Sequence, residues 1–190
     1  MTAAVTTSDT ATTTTWNLDA SHTLVEFSAK HMMITTVKGR FADVRGSITI
    51  DAAHPEASTV EVELGAASID TRSEQRDQHL RSADFLDVEN FPTVTFKSRR
   101  IEGAQANAGT SFRVVGDLTI RGVTRDVTLD ATFEGEGRDP WGGTRASFSA
   151  TGKIDRRDFG LTWNAALETG GVLVSNDIKI VIEAQAIRAA

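Results

Sequence analysis

The sequence predicts an all-β fold of antiparallel strands interrupted by one short helical insert. Two observations carry this. Apolar and polar residues alternate along most of the chain, the period of strands buried on one face, and Gly-, Asp- and Pro-containing turn signals separate the alternating runs. The exception is Ser68 to Pro92, which reads as helical and whose charge density lies well above the 24% of the whole chain.

Taken in order, Val25, Phe27, Ala29 and His31 share one strand face, and Glu26, Ser28 and Lys30 the other. Ile48 and Ile50 follow, then Val60, Val62 and Leu64, then Val94 and Phe96. A long run places Phe112, Val114, Gly116, Leu118 and Ile120 on one side, turns at Arg121-Gly122, and returns through Val127, Leu129, Ala131 and Phe133. Gly135 to Gly143, around Asp139-Pro140, reads as the next turn, and Gly170-Gly171 as a later one. Phe148, Ala150, Gly152 and Ile154, then Ile178, Ile180, Ile182 and Ala184, supply the last strands. Single-sided strands alone do not separate a sandwich from a barrel. The small residues Ala29, Gly116, Ala131, Ala150 and Gly152 on the inner face favour a barrel that keeps a cavity.

In the insert, Thr71-x-x-Glu74 reads as a capping box that starts a helix, with Leu80 its one large apolar anchor. Ser82, Phe85 and Leu86 suggest a second turn, and Phe91-Pro92 returns the chain to extended backbone.

At 190 residues and 39% hydrophobic, one domain with a sizeable core is expected over residues 16–190. The absence of cysteine removes disulfides and thiolate chemistry and fits a reducing compartment. A net charge of −6 argues against a nucleic-acid partner, which requires a basic face. No run approaches the roughly 18 to 20 apolar residues of a membrane-spanning helix. The stretch MTAAVTTSDTATTTT lacks the basic and apolar regions of a secretory signal. Residues 1–15 are therefore expected to be a disordered tail, and the protein to be cytoplasmic.

Ordered motifs then point to a family. Trp16-Asn17-Leu18-Asp19 with Ser21-His22, Phe27-x-x-Lys30-His31 and Val37-x-Gly39-x-Phe41 come first. Ser68-Ile69-Asp70-Thr71, Arg76-Asp77-x-His79-Leu80, Asp84-Phe85 and Phe91-Pro92 follow. Gly116-Asp117-Leu118-Thr119-Ile120-x-Gly122-Val123-Thr124, Arg156-x-Asp158-Phe159-Gly160 and Asp177 complete the set. From Trp16 to Ile187 the chain resembles the YceI-like proteins, a lipocalin-like, polyisoprenoid-binding family. The resemblance implies an eight-stranded antiparallel barrel, its helical insert at about 71–90, with an apolar lumen for isoprenoid or fatty-chain ligands. Many such relatives are exported, for which this N-terminus offers no signal.

The expected lumen residues are Phe27, Ala29, His31, Val62, Val94, Phe96, Val114, Leu118, Leu129, Phe133, Phe148 and Ile180. Arg72, Arg76 and His79, at i, i+4 and i+7, would share a helix face suited to a diphosphate head group. The favoured alternative is that Arg76 and Asp77 form local ion pairs stapling helix to barrel. Arg156, Asp158 and Phe159 read as a strand-end clamp, with the charged pair at the rim. His22, His31 and His79 have no metal-ligand spacing, and Asp77 and His79 point apart on a helix, so no catalytic residue, metal or cofactor is expected. The expected function is binding of a long-chain isoprenoid or other lipid in the lumen, for transport, storage or sequestration. An enzyme acting on such a lipid at the barrel mouth and a stress-related interaction module with a packed lumen stand as alternatives. Transient membrane contact and a homodimer are left open as partners.

Overall fold

The computed structural model describes residues 13–105, 107–168 and 170–189. Its strand segments are β1 (Thr13–Leu18), β2 (Leu24–His31), β3 (Thr35–Phe41), β4 (Val44–Asp51), β5 (Thr59–Gly65) and β6 (Ile69–Asp70), then β7 (Thr93–Glu102), β8 (Thr110–Ile120), β9 (Val123–Arg138), β10 (Thr144–Asp155) and β11 (Asp177–Arg188). All belong to one antiparallel sheet.

Six of these segments combine into three bent staves. β1 pairs with β4 while its continuation β2 pairs with β3, and β4 pairs with β5 while β3 pairs with β6. Hence β1/β2, β3/β4 and β5/β6 are each one strand broken by a short irregular stretch, and the barrel has eight staves. Each stave pairs with its neighbours in sequence, and β11 closes the ring. Its C-terminal part pairs with β1, through Leu18↔Ala186, and its N-terminal part with β2, through Lys179↔Ser28. Closure removes the exposed edges that an open sheet would present.

This up-and-down order assigns every connection to one of two ends. The turn after β2, the insert after β6, the hairpin after β8 and the long connection after β10 share the helix end. The opposite end holds the start of β1, the end of β11 and the β4–β5, β7–β8 and β9–β10 connections. Among the described residues no helix is long and apolar enough to cross a membrane.

Three expectations need correction. Residues 1–12 of the expected tail lie outside the described residues, but Thr13 to Thr15 are already strand, paired with Asp51, Ile50 and Thr49. Gly135 is not in a turn: β9 runs on to Arg138, Gly135 pairs with Ser147, and the bulge between Ser147 and Phe148 takes up Glu134, with Gly135 beside it at φ 135°, a conformation that glycine adopts without strain. The helix, α1, covers only Glu74–Arg81, with Ser73 as its N-cap residue. Thr71 does not cap it, because its N–H and hydroxyl both donate to Asp77 Oδ1, at 2.9 and 2.5 Å.

Candidate functional site

The inward faces of the staves enclose a cavity of about 1430 Å³ whose lining reaches both ends of the barrel. It exceeds the roughly 300–1,000 Å³ of an ordinary small-molecule pocket, and its wall is mainly apolar. All twelve residues expected in the lumen border it. Glu26, Lys30, Thr95 and Ser149, of the opposite strand parity, border it as well, and the lumen is not packed solid.

The small residues contribute unequally. Ala29, Ala131 and Ala150 line the cavity. Gly116 and Gly152 do not, because neighbours occupy the space a side chain would use. A Cβ on Gly116 would lie 2.7 Å from the Phe96 ring, and one on Gly152 2.6 Å from Leu129 Cδ2. These glycines let large side chains lie flat on the sheet, and the alanines leave room in the wall.

The helix end is closed by α1 and by the connection following β10. Phe85, Leu86, Phe159 and Leu161 are buried there in the main core cluster, with Trp163 packed against it. The opposite end has a smaller buried cluster of Trp16, Ile48, Ala146 and Ala186. Arg156, 4% exposed, ties the closing segment together. Its guanidinium donates to the carbonyls of Ser175, Leu161 and Trp163 and to Asn176 Oδ1. Burial pulls its pKa below the ordinary value, with Asp155 opposing. Arg156 thus clamps to backbone, and the expected partner Asp158 is exposed.

The three head-group candidates separate. Arg72 precedes the helix at φ 61° and is exposed, so it does not share a helix face with the others, and it lies outside the cavity lining. Arg76 and His79 both border the cavity. Arg76 Nε donates to Thr71 Oγ1 at 2.6 Å and Nη2 to the Thr71 carbonyl at 2.7 Å. Asp77 holds the same threonine, so the two charges staple α1 to the end of β6 through Thr71 and not as an ion pair with each other. His79 Nε2 lies 2.9 Å from Asp84 Oδ2, and its ring packs edge-on against Phe85 and Trp163.

Trp163, Leu173 and Val174 also line the cavity and escaped the sequence reading. They sit in an irregular connection with no periodicity to mark a face. Ile178 and Ile182 were legible, since they share the parity of Ile180. Among the described residues, no group of three His, Asp or Glu side chains could hold a metal ion. The strongest polar cluster lies on another face: Asp19 accepts from Ser21, Arg145 and His22, and these hydrogen bonds hold its carboxyl well below the usual range.

Fold and site define a class, a closed eight-stranded antiparallel barrel around a long apolar cavity. The YceI-like domain model matches residues 16–186, and the chain belongs to that family. A UPF0312 protein of Serratia proteamaculans is 40% identical over 168 residues, covering 88% of this chain and 82% of that protein. Protein YceI of Salmonella newport is 42% identical over 144 residues, covering 76% and 73%. The crystal structure of a Campylobacter jejuni YCEI protein superposes with TM-score 0.71 at 32% identity, covering 85% of this chain and 90% of that one. A polyisoprenoid binding domain from Saccharophagus degradans shares the fold at TM-score 0.64 and 14% identity, covering 92% and 98%.

Proposed function

We propose that the protein binds one long-chain isoprenoid or other lipid in the barrel cavity, for transport, storage or sequestration. The observation that carries this is the cavity, long, mainly apolar and lined by residues of all eight staves toward both ends of the barrel. Each methylene moved from water into such a lumen contributes about 0.8 kcal/mol, before the ordering and association costs of binding. The chain therefore supplies affinity and the head group orientation. Arg76 and His79 stand where a polar end at the helix end would sit. The polyisoprenoid binding of the Saccharophagus degradans domain supports the ligand class. The reading is of a binding protein without catalysis, and the expected cytoplasmic location belongs to the same proposal, tested by cell fractionation.

Native mass spectrometry of freshly purified protein tests the function. A co-purifying mass of a few hundred daltons, lost on denaturation, or uptake of added polyprenyl lipid is expected. A bare mass together with no uptake overturns the reading, and turnover of a prenyl diphosphate would favour the enzyme alternative.

A further inference from the structure

The turn between β2 and β3 is made of Met32, Met33 and Ile34, which are 44%, 59% and 77% exposed. Met32 and Met33 take φ values of 52° and 62°, where Asn, Asp and Gly are the residues that turns favour. Neither turn geometry nor burial accounts for three consecutive apolar side chains at this tip. Val181, 41% exposed, lies on the outer face of the same sector, opposite Glu26.

The surface behind this tip is basic. Lys153 pairs in register with Lys179, Lys179 with Ser28, and Ser28 with Lys38, so three lysines form a row across four adjacent staves. Lys30 lies two residues along β2. Lys97 is the chain's one remaining lysine. Lys153 is paired with Asp177. Among the described residues Lys30, Lys38 and Lys179 enter no ion pair, and the acidic groups on the same face are Glu26, Asp155 and Asp177, of which Asp155 is paired with Arg157. A chain of net charge −6 thus keeps four of its five lysines on the sector behind an apolar tip.

The tip stands beside the cavity. Lys30, His31, Leu173 and Val174 border the cavity, and the Met32 N–H donates to the Leu173 carbonyl at 2.8 Å. We infer that this tip and its lysine row dock the helix end of the barrel on an anionic lipid bilayer, with Met32, Met33 and Ile34 entering the interface and the lysines meeting the head groups. As a loading step for the cavity, this rests on the carrier reading above. A second copy of the chain fits the same face less well. Two copies meeting here would bring like-charged rows together, and a three-residue tip is far short of the roughly 800 Å² per partner of a stable dimer. Each lysine near an anionic surface is worth roughly fivefold in partition, and salt screens it.

Flotation with phosphatidylcholine vesicles, with and without phosphatidylglycerol, tests the inference. The full chain is expected to float with the anionic vesicles and to release at high salt. Lys38→Glu/Lys179→Glu and, separately, Ile34→Asp are expected to lower partition at least tenfold with unchanged melting. Trp141→Ala, which removes an exposed tryptophan at the opposite end, is expected to change nothing. Equal binding to neutral vesicles, indifference to either substitution, dependence on Trp141, or an Ile34-dependent dimer with no flotation overturns the inference. Chain uptake is measured separately without vesicles: its failure removes the carrier reading and the loading role, and flotation alone judges the docking.

Discussion

The imidazole of His79 meets the indole of Trp163 edge-on, with ring centroids 4.6 Å apart and planes at 88°. This contact joins the helical insert to the connection between β10 and β11, its two residues 84 positions apart in the chain, and both rings border the cavity. The helix end is therefore a composite lid whose two halves meet over the lumen.

Trp163 is consequently a reporter of occupancy. Trp163 borders the cavity at the lid and Trp16, 2% exposed, borders it toward the opposite end, whereas Trp141 is 86% exposed and outside the lining. Added polyprenol should shift or quench the intrinsic fluorescence. Trp163→Phe should remove the part of that response that comes from the lid, Trp16→Phe the remainder, and Trp141→Phe should preserve it. A response undiminished in Trp163→Phe places the chain away from the lid.

Replacing Arg156 should cost more than any surface ion pair. Arg156→Ala leaves three buried or half-buried carbonyls without their donor, a loss of about 3 kcal/mol expected as a lowered urea midpoint. Arg156→Lys should rescue little, because an ammonium cannot reproduce the planar fork. Near-wild-type stability of the lysine variant would show that charge alone suffices.

Acid should weaken the barrel through Asp19 and Asp155. Asp19 is held low by Ser21, then Arg145 and His22, and Asp155 is lowered to about 2 by the Arg157 side chain and N–H. A carboxyl whose folded pKa is depressed stabilises the fold above its unfolded pKa of about 3.9, and that contribution is lost as pH falls toward the folded value. Melting temperature should accordingly drop between about pH 4 and pH 2. Asp19→Asn should be less stable at neutral pH and show a shallower acid loss; an unchanged acid profile would remove Asp19 from the account.

Ala150 faces Ala131 across the β9–β10 pair, and the two leave a recess in the wall. Ala150→Leu should fill part of that recess, hold or raise stability by up to about 1.5 kcal/mol, and lower uptake of long polyprenyl chains at least tenfold. Retained uptake with a filled recess would mean that the chain lies along another part of the lumen.

Much of the site was legible because strand parity is strict. A residue two positions along a strand returns to the same face, so Phe27, Val114 and Ile180 could be placed in the lumen before any closure was known. Thr71 shows where local grammar failed. Its spacing to Glu74 fits a capping box, yet Asp77 takes both its donors, and Arg72 leaves the helix as a result. That choice depends on the packing of α1 against the end of β6, which no local pattern records. Trp163 and Arg156 were hidden in a different way, since an irregular connection has no period to read and a buried arginine looks like any charged residue.

By itself the sequence determined which side of each strand faces in, because alternation of period two leaves one apolar face that water disfavours. It also marked the insert and the turns at Arg121-Gly122 and Asp139-Pro140, since those signals are local chemistry, although Gly135 lies inside β9. Only the tertiary structure decided that β11 closes on both β1 and β2, that three staves are bent, and that the apolar faces stand far enough apart to leave a cavity. Those outcomes depend on register between residues more than 150 positions apart and on the fit of Phe96 over Gly116 and of Leu129 over Gly152. Such distances and volumes emerge only when the ring is complete.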